Sequence, residues 1–248
     1  MTTHLSVNVN AIAYLRNRRD LPWPSVTDLA RICLDAGAVG ITVHPRPDER
    51  HIRATDVHEL KALLQEPAYQ RAEFNMEGYP EERFLSLCEA IRPDQVTLVP
   101  DDPAQPTSDH GWDVPAHADL LKQVCERMHI FGTRVSLFVD SDPAMAEPTK
   151  AVGADRVELY TGPYGHTFEP TAKAEELAKL KATAEAAHAA GLGINAGHDL
   201  TLDNLPPLIE AAPMIDEVSI GHALTADALT HGYAEAVRLY RAACGQQA

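Results

Sequence analysis

Gly40-Ile41-Thr42-Val43-His44-Pro45-Arg46 passes from a β-branched, apolar run straight into an imidazole, a proline and a guanidinium. An uncharged run this short, rich in β-branched residues, reads as a strand buried on both faces, and the polar groups then stand at its C-terminal end. Just upstream, Ser25–Ala36 has helical spacing, a serine at its start and a stop at Gly37. The unit is therefore helix, turn, strand and polar end.

The same unit recurs in both directions. Strands are expected at Leu5–Asn10, Gly40–His44, Ala72–Glu77, Gln95–Val99, Arg134–Asp140, Arg156–Tyr160, Gly193–Ala196 and Glu217–Ile220. Helical segments separate them, with starts at Pro80, Pro143 and Thr171 and a stop at Gly191. Eight strands alternating with helices over 248 residues have the dimensions of an α/β fold of the (β/α)8 TIM barrel type, a single domain spanning residues 1–248. No linker or shift in composition divides the chain. A doubly wound open sheet is the rival, but it favours a glycine-rich turn after the first strand, where this chain has Asn8-Val9-Asn10-Ala11.

Composition narrows the function. With 45% hydrophobic residues the chain can bury a large core, and 21 Lys+Arg against 36 Asp+Glu give a net charge of -15, which argues against nucleic acid or anionic membranes as partners. No run approaches the roughly 18 apolar residues of a membrane span, and Met1 to Asn10 lacks the basic and apolar regions of a signal peptide. A cytoplasmic location is expected. Cys33, Cys88, Cys125 and Cys244 are far apart and form no CxxC pair, so packed free thiols are expected rather than a disulfide framework or thiolate zinc site.

In a barrel, chemistry sits at the C-terminal ends of the strands. Here those ends carry Asn8 and Asn10, His44 with Arg46, Glu77, Glu158, His198, and Gly221-His222. One such residue has a ready structural explanation as a hydrogen-bonded core group; His44, Glu77, Glu158 and His198 together on one face point to a shared pocket. Three connections, Arg16–Pro24, Asp101–Pro115 and Thr161–Pro170, are longer than closure needs, and the second has the composition of a loop that could close over a ligand.

Basic residues gather at the same end. Arg16, Arg18, Arg19, Arg46, Arg50, Arg53 and His51 crowd the first two strand-following loops, some of them with Asp48, Glu49 and Asp56 as ready partners. Ser219-Ile220-Gly221-His222-Ala223 passes from the last strand into a helix, whose free N–H groups can hold a phosphate. Two anion sites imply two phosphorylated ligands. All six lysines, Lys61, Lys122, Lys150, Lys173, Lys179 and Lys181, fall in or beside helices, which weighs against a Schiff-base aldolase. No HxH or HExxH pair occurs, so a metal could be held only by convergence of His44, His198 and a glutamate. Metal-free acid–base chemistry is the leading reading; another phosphosugar aldolase or isomerase and a non-catalytic phosphosugar-binding barrel are the alternatives.

Taken in order, Ser6-Val7-Asn8-Val9-Asn10, Leu15-Arg16-Asn17, Gly40 to Arg46, Arg50-His51-Ile52, Leu98-Val99-Pro100, Val135-Ser136-Leu137-Phe138, Asn195-Ala196-Gly197-His198 and Ile220-Gly221-His222-Ala223 closely resemble the pyridoxine 5'-phosphate synthase family. The resemblance implies a (β/α)8 barrel, assembled as a homo-octamer. It implies condensation of 3-amino-2-oxopropyl phosphate with 1-deoxy-D-xylulose 5-phosphate to pyridoxine 5'-phosphate, phosphate and water, with no metal and no cofactor. By that resemblance His44 and Glu77 match proton acceptors, His198 the proton donor and Glu158 a transition-state stabiliser. Asn10, Ala11, Arg46, His51 and Thr107 match the deoxyxylulose phosphate side; Asn8, Arg19, Asp199, Gly221 and His222 match the aminoketone phosphate side. Two places depart from the family pattern. Many members have Asp-His where this chain has Asn10-Ala11, which leaves an amide and, at Ala11, only backbone. Asp199 replaces a commoner glycine, so its contact is expected through the backbone N–H.

Overall fold

β1 (His4–Asn8) pairs in parallel with β2 (Gly40–Val43) on one side and with β8 (Glu217–Ile220) on the other. That second pairing closes the sheet. This computed structural model describes residues 2–101, 105 and 107–246. Between β2 and β8 come β3 (Glu73–Gly78), β4 (Gln95–Leu98), β5 (Arg134–Val139), β6 (Arg156–Tyr160) and β7 (Gly193–Gly197), each paired in parallel with the next. The expected barrel is present.

The pleat sends alternate side chains to opposite faces. Leu5, Val7, Ile41, Val43, Phe74, Met76, Val96, Leu98, Val157 and Val218 face the helices and are buried. The alternate positions line the axis and are polar: Ser6, Thr42, Asn75, Thr97, Ser136, Glu158, Asn195 and Ser219 are all buried too. Four of them are linked from strand to strand, Ser6 Oγ with Thr42 Oγ1 at 2.8 Å, Asn75 Nδ2 donating to Thr42 Oγ1 at 3.4 Å, and Thr97 Oγ1 donating to Asn75 Oδ1 at 3.1 Å, while Ser136 Oγ, Ser219 Oγ and Glu158 Oε2 have no such partner among the described residues. At the floor, Arg134 pairs with Glu73 and donates to Gln95 Oε1 at 3.4 Å, while Arg156 donates to Asn195 Oδ1 at 2.7 Å.

The helices are α1 (Asn10–Asn17), α2 (Val26–Asp35), α3 (Ala54–Leu64), α4 (Glu82–Ile91), α5 (Ala118–His129), α6 (Ala146–Ala151), α7 (Gly162–His166), α8 (Pro170–Ala189), α9 (Leu205–Ala211), α10 (His222–His231) and α11 (Tyr233–Ala243). The expected starts hold at Ser25, whose Oγ accepts from Asp28 N at 3.1 Å, and at Pro143, which opens a short 3-10 turn before α6; α4 starts two residues after Pro80, and α8 is capped by the Glu169 carboxylate rather than by Thr171. All six lysines lie on helices α3, α5, α6 and α8, and the four cysteines are buried free thiols. Among the described residues no helix is long and apolar enough to cross a membrane.

Two expectations need correction. The first strand ends at Asn8 rather than Asn10, because the Asn8 carboxamide accepts the Asn10 N–H at 3.0 Å and turns the chain directly into α1. The connections at Arg16–Pro24 and Thr161–Pro170 are less open than a bare loop, since α1 runs to Asn17 and α7 occupies part of the other. Residues 102–104 and 106 of the Asp101–Pro115 connection lie outside the described residues.

Arg16 fixes α1 against α3. Its guanidinium pairs with Asp56, with Nη2 to Oδ2 at 2.9 Å, and both side chains are buried. Asp56 also accepts the Arg53 N–H at 2.8 Å, while Arg16 and Asn17 donate to the His51 carbonyl at 3.2 and 2.7 Å. One buried pair thus sets two helices and the loop that carries His51. Asp56→Ala leaves a buried guanidinium unpaired, and urea denaturation should show a loss of about 3–5 kcal/mol; a change under about 1 kcal/mol, as for an exposed pair, would contradict this role.

Candidate active site

The C-terminal ends of the strands open into one cavity of about 810 Å³, lined by Asn8, Glu77, Glu158, His198, Gly221 and His222 among others. That is room for two small phosphorylated molecules by the usual range of roughly 300–1,000 Å³ for ligand sites. Asn10, Ala11, His51, Thr107 and Asp199 also reach its wall.

His44 does not line this wall. It is buried behind Glu77, with Nδ1 3.9 Å from Glu77 Oε2. A run of directed hydrogen bonds orients the pair. The His44 N–H donates to Asn10 Oδ1 at 2.9 Å, the Asn10 N–H to Asn8 Oδ1, and Asn8 Nδ2 to Glu77 Oε2 at 3.4 Å. A backbone N–H can only donate, so each amide oxygen is fixed and Asn8 must offer its NH₂ to the carboxyl group.

Glu158 lies against β7, where a Cβ on Gly197 would come 2.6 Å from Glu158 Oε1, so only glycine leaves room for the carboxyl group. Its Oε2 is buried without a hydrogen-bond partner. Gly221 is required for a similar reason, since a Cβ there would stand 2.8 Å from the Asn8 carbonyl. No side chain caps the N-terminus of α10, and Gly221, His222 and Ala223 face the cavity, which leaves an anion-binding N-terminus there.

His198 and Asp199 have φ of 80° and 55°, left-handed conformations that cost a non-glycine residue on the order of 1–3 kcal/mol each. The His198 ring packs against Phe138 and Tyr160, with centroids at 5.0 and 5.5 Å, and those two rings also touch each other, at 5.3 Å; the Asp199 carboxylate meets His166 Nε2 at 3.2 Å.

The arginines divide. Arg46 is buried and paired with Asp101, which also accepts from Ser108 Oγ at 2.7 Å, so its guanidinium is held by the segment after β4 and not by the cavity wall. Arg50 pairs with Asp48 at 2.8 Å. Arg19 is exposed and absent from the wall; the last turn of α1 brings Arg18 there instead. Tyr14, Leu15 and Leu229 form an apolar part of the wall that the strand-end reading missed, because they come from helices. Among the described residues no three His, Cys, Asp or Glu side chains form a metal-ligating group, so the convergence of His44, His198 and a glutamate does not occur as a ligand set.

Burial governs the proton affinities. It pushes the His44 imidazole well below its ordinary value, helped by the nearby Arg46 charge, and lowers His198 as well. It takes His51 down to about 4, and the Ile52 N–H donates to His51 Nδ1 at 2.9 Å, so Nε2 carries the proton. The carboxyl groups move the other way. Burial, then the charge of Glu158, raises Glu77 well above the carboxylate range, and burial raises Glu158 to about 7 against the hydroxyl of Thr97. Near neutral pH the cavity holds neutral imidazoles beside a Glu77 that retains its proton and a Glu158 in the course of titrating, a set able to accept and return protons in turn.

The family model for pyridoxal phosphate biosynthesis protein PdxJ matches residues 5–246. The chain belongs to the PdxJ family. It is 61% identical to a pyridoxine 5'-phosphate synthase of Allorhizobium ampelinum, over 100% of both chains, and 58% identical to one of Brucella anthropi, over 98% of this chain and 99% of the other. Among solved structures, phosphoribosyl anthranilate isomerase from Thermus thermophilus superimposes with a TM-score of 0.59 at 14% identity, covering 98% of each chain, and the YdjI aldolase from Escherichia coli K12 with 0.62 at 12% identity, covering 98% of this chain and 89% of that one. These distant likenesses show the barrel fold alone. Membership of the PdxJ family makes the chain a biosynthetic enzyme.

The axis holds one more displaced acid. Burial and the neighbouring Glu73 raise Glu217, at the start of β8, to about 8 from 4.5. A glutamate that keeps its proton only when folded stabilises the fold at low pH and loses that contribution as pH rises through its folded value. Urea midpoints should therefore fall between about pH 6.5 and pH 8, and fall less in Glu217→Gln; parallel curves for the two proteins would contradict the assignment.

Proposed function

We propose that this chain condenses 3-amino-2-oxopropyl phosphate with 1-deoxy-D-xylulose 5-phosphate to pyridoxine 5'-phosphate, releasing phosphate and water, by acid–base catalysis without metal or organic cofactor. The observation that carries this reading is the meeting of Glu77, Glu158 and His198 in one cavity, with His44 3.9 Å from Glu77, in a chain 61% identical to a named pyridoxine 5'-phosphate synthase.

Imine formation, enolisation, elimination and an aldol-type ring closure each need one proton removed and another delivered. His44 and Glu77 are the acceptors. A neutral imidazole is ready to take a proton, and a carboxyl group with raised proton affinity is a stronger base once ionised; the Asn8 NH₂ at 3.4 Å favours that ionised form. His198 is the donor, recharged between steps, and Glu158 stabilises charge that develops on the substrate. Asn10, the Ala11 backbone, Arg46, His51 and Thr107 bind the deoxyxylulose phosphate, with Arg46 exchanging Asp101 for the ligand's anion. Asn8, the Asp199 N–H, Gly221 and His222 bind the aminoketone phosphate, with support from the uncapped N-terminus of α10, and the exposed Arg19 swings in from outside the wall to complete the set. The working form is a cytoplasmic homo-octamer, a reading supported by family resemblance, with the exposed side chains of Trp23 and Phe168 outside the cavity as surface for contact between copies.

Purified protein given both substrates and a chelator should form pyridoxine 5'-phosphate and free phosphate, and a folded protein that forms none would overturn the proposal. Glu77→Gln or His198→Ala should lower turnover on the order of 10²-fold or more; near-normal rates remove those residues from their roles.

A further inference from the structure

We infer that Thr161 is a positioning residue for His198: its hydroxyl holds the two carbonyls behind the imidazole and so fixes where the ring enters the cavity. Thr161 follows β6 and is fully buried. Its Oγ1 donates to the Gly197 carbonyl at 2.5 Å and shares the same proton with the His198 carbonyl, while its backbone N–H donates to the Gly197 carbonyl at 2.9 Å.

Two observations set this contact apart from ordinary packing. Thr161 occupies the N-cap position of α7, where a threonine hydroxyl usually accepts from the first free N–H groups of the helix, yet this hydroxyl makes no capping bond and serves the neighbouring strand. The carbonyls it holds belong to Gly197 and His198, and His198 with the adjoining Asp199 lies in the left-handed region, a conformation that persists only where surrounding contacts over-determine it. His166, at the far end of α7, meets the Asp199 carboxylate at 3.2 Å. The segment after β6 thus holds the turn after β7 at two points. Without the Thr161 hydroxyl the turn can relax toward ordinary backbone angles and carry the imidazole away from Phe138 and Tyr160.

This inference rests on His198 acting in catalysis as proposed above, and the test separates the two. Thr161→Val and Thr161→Ser are made alone and with His198→Ala, and steady-state rates are read beside the imidazole NMR resonances of His198. Thr161→Val, still folded by near-ultraviolet circular dichroism, should lose about 10²-fold in kcat, Thr161→Ser should recover to within about threefold of the wild type, and Thr161→Val should cost nothing further once His198 is alanine. The His198 resonances should shift in Thr161→Val and not in Thr161→Ser. Where valine prevents folding, Thr161→Ala carries the same expectations. Wild-type kcat in Thr161→Val, a Thr161→Ser protein as impaired as the valine protein, or an undiminished cost in the His198→Ala background would overturn the inference. If His198→Ala itself turns over normally, the catalytic role of His198 falls, and the resonance shift alone decides whether Thr161 positions the ring.

Discussion

Closing a parallel sheet on itself buries both faces of every strand, and in this chain one of those faces is polar. The outer face is the expected wall of Val, Ile, Leu, Phe and Met against the helices. The inner face carries hydroxyls, amides and carboxyls that are buried from bulk water, so each is favoured where it finds a partner or retains its neutral form. The links from Ser6 through Thr42 and Asn75 to Thr97 meet the first condition, and Glu158 and Glu217 meet the second.

The active-site cavity is the upper end of that polar axis. Glu77 and Glu158 are displaced by the same burial that displaces Glu217 on the same polar axis, so the acid–base character of the cavity grows out of the barrel itself rather than from one added residue. What the mouth adds is orientation. Asn10 holds His44 and Asn8 directs Glu77, Gly197 makes room for Glu158, and the strained turn at His198 sets an imidazole against two aromatic rings.

The barrel was legible because each strand is short, uncharged over most of its length and followed by a helix with its own start and stop. His44, Glu77 and His198 were legible because they stand at strand ends, which share one face in a parallel sheet, and Glu158, at the middle of β6, because a charged residue stands out in an otherwise apolar strand centre. Their ranks behind or in front of the wall were not, since His44 and Glu77 differ only in how their neighbours fold. Arg46 shows the limit most plainly: its partner Asp101 arrives from another strand, and no spacing in the sequence announces that pair. Arg19 and Arg18 are neighbours in sequence and only the turn ending α1 separates their positions. The polar floor of Glu73, Gln95, Arg134 and Glu217 escaped notice because strands buried on both faces do not reveal which face is the axis.

The central claim is that burial along the axis keeps carboxyl groups protonated near neutral pH. Isotope-edited infrared spectra of protein labelled with ¹³C at the glutamate carboxyl groups test it directly. A carboxylic-acid carbonyl band should be present at pH 6, diminish as pH passes through about 7 and lose its Glu158 part in Glu158→Gln. A spectrum showing only carboxylate at pH 6 would contradict it.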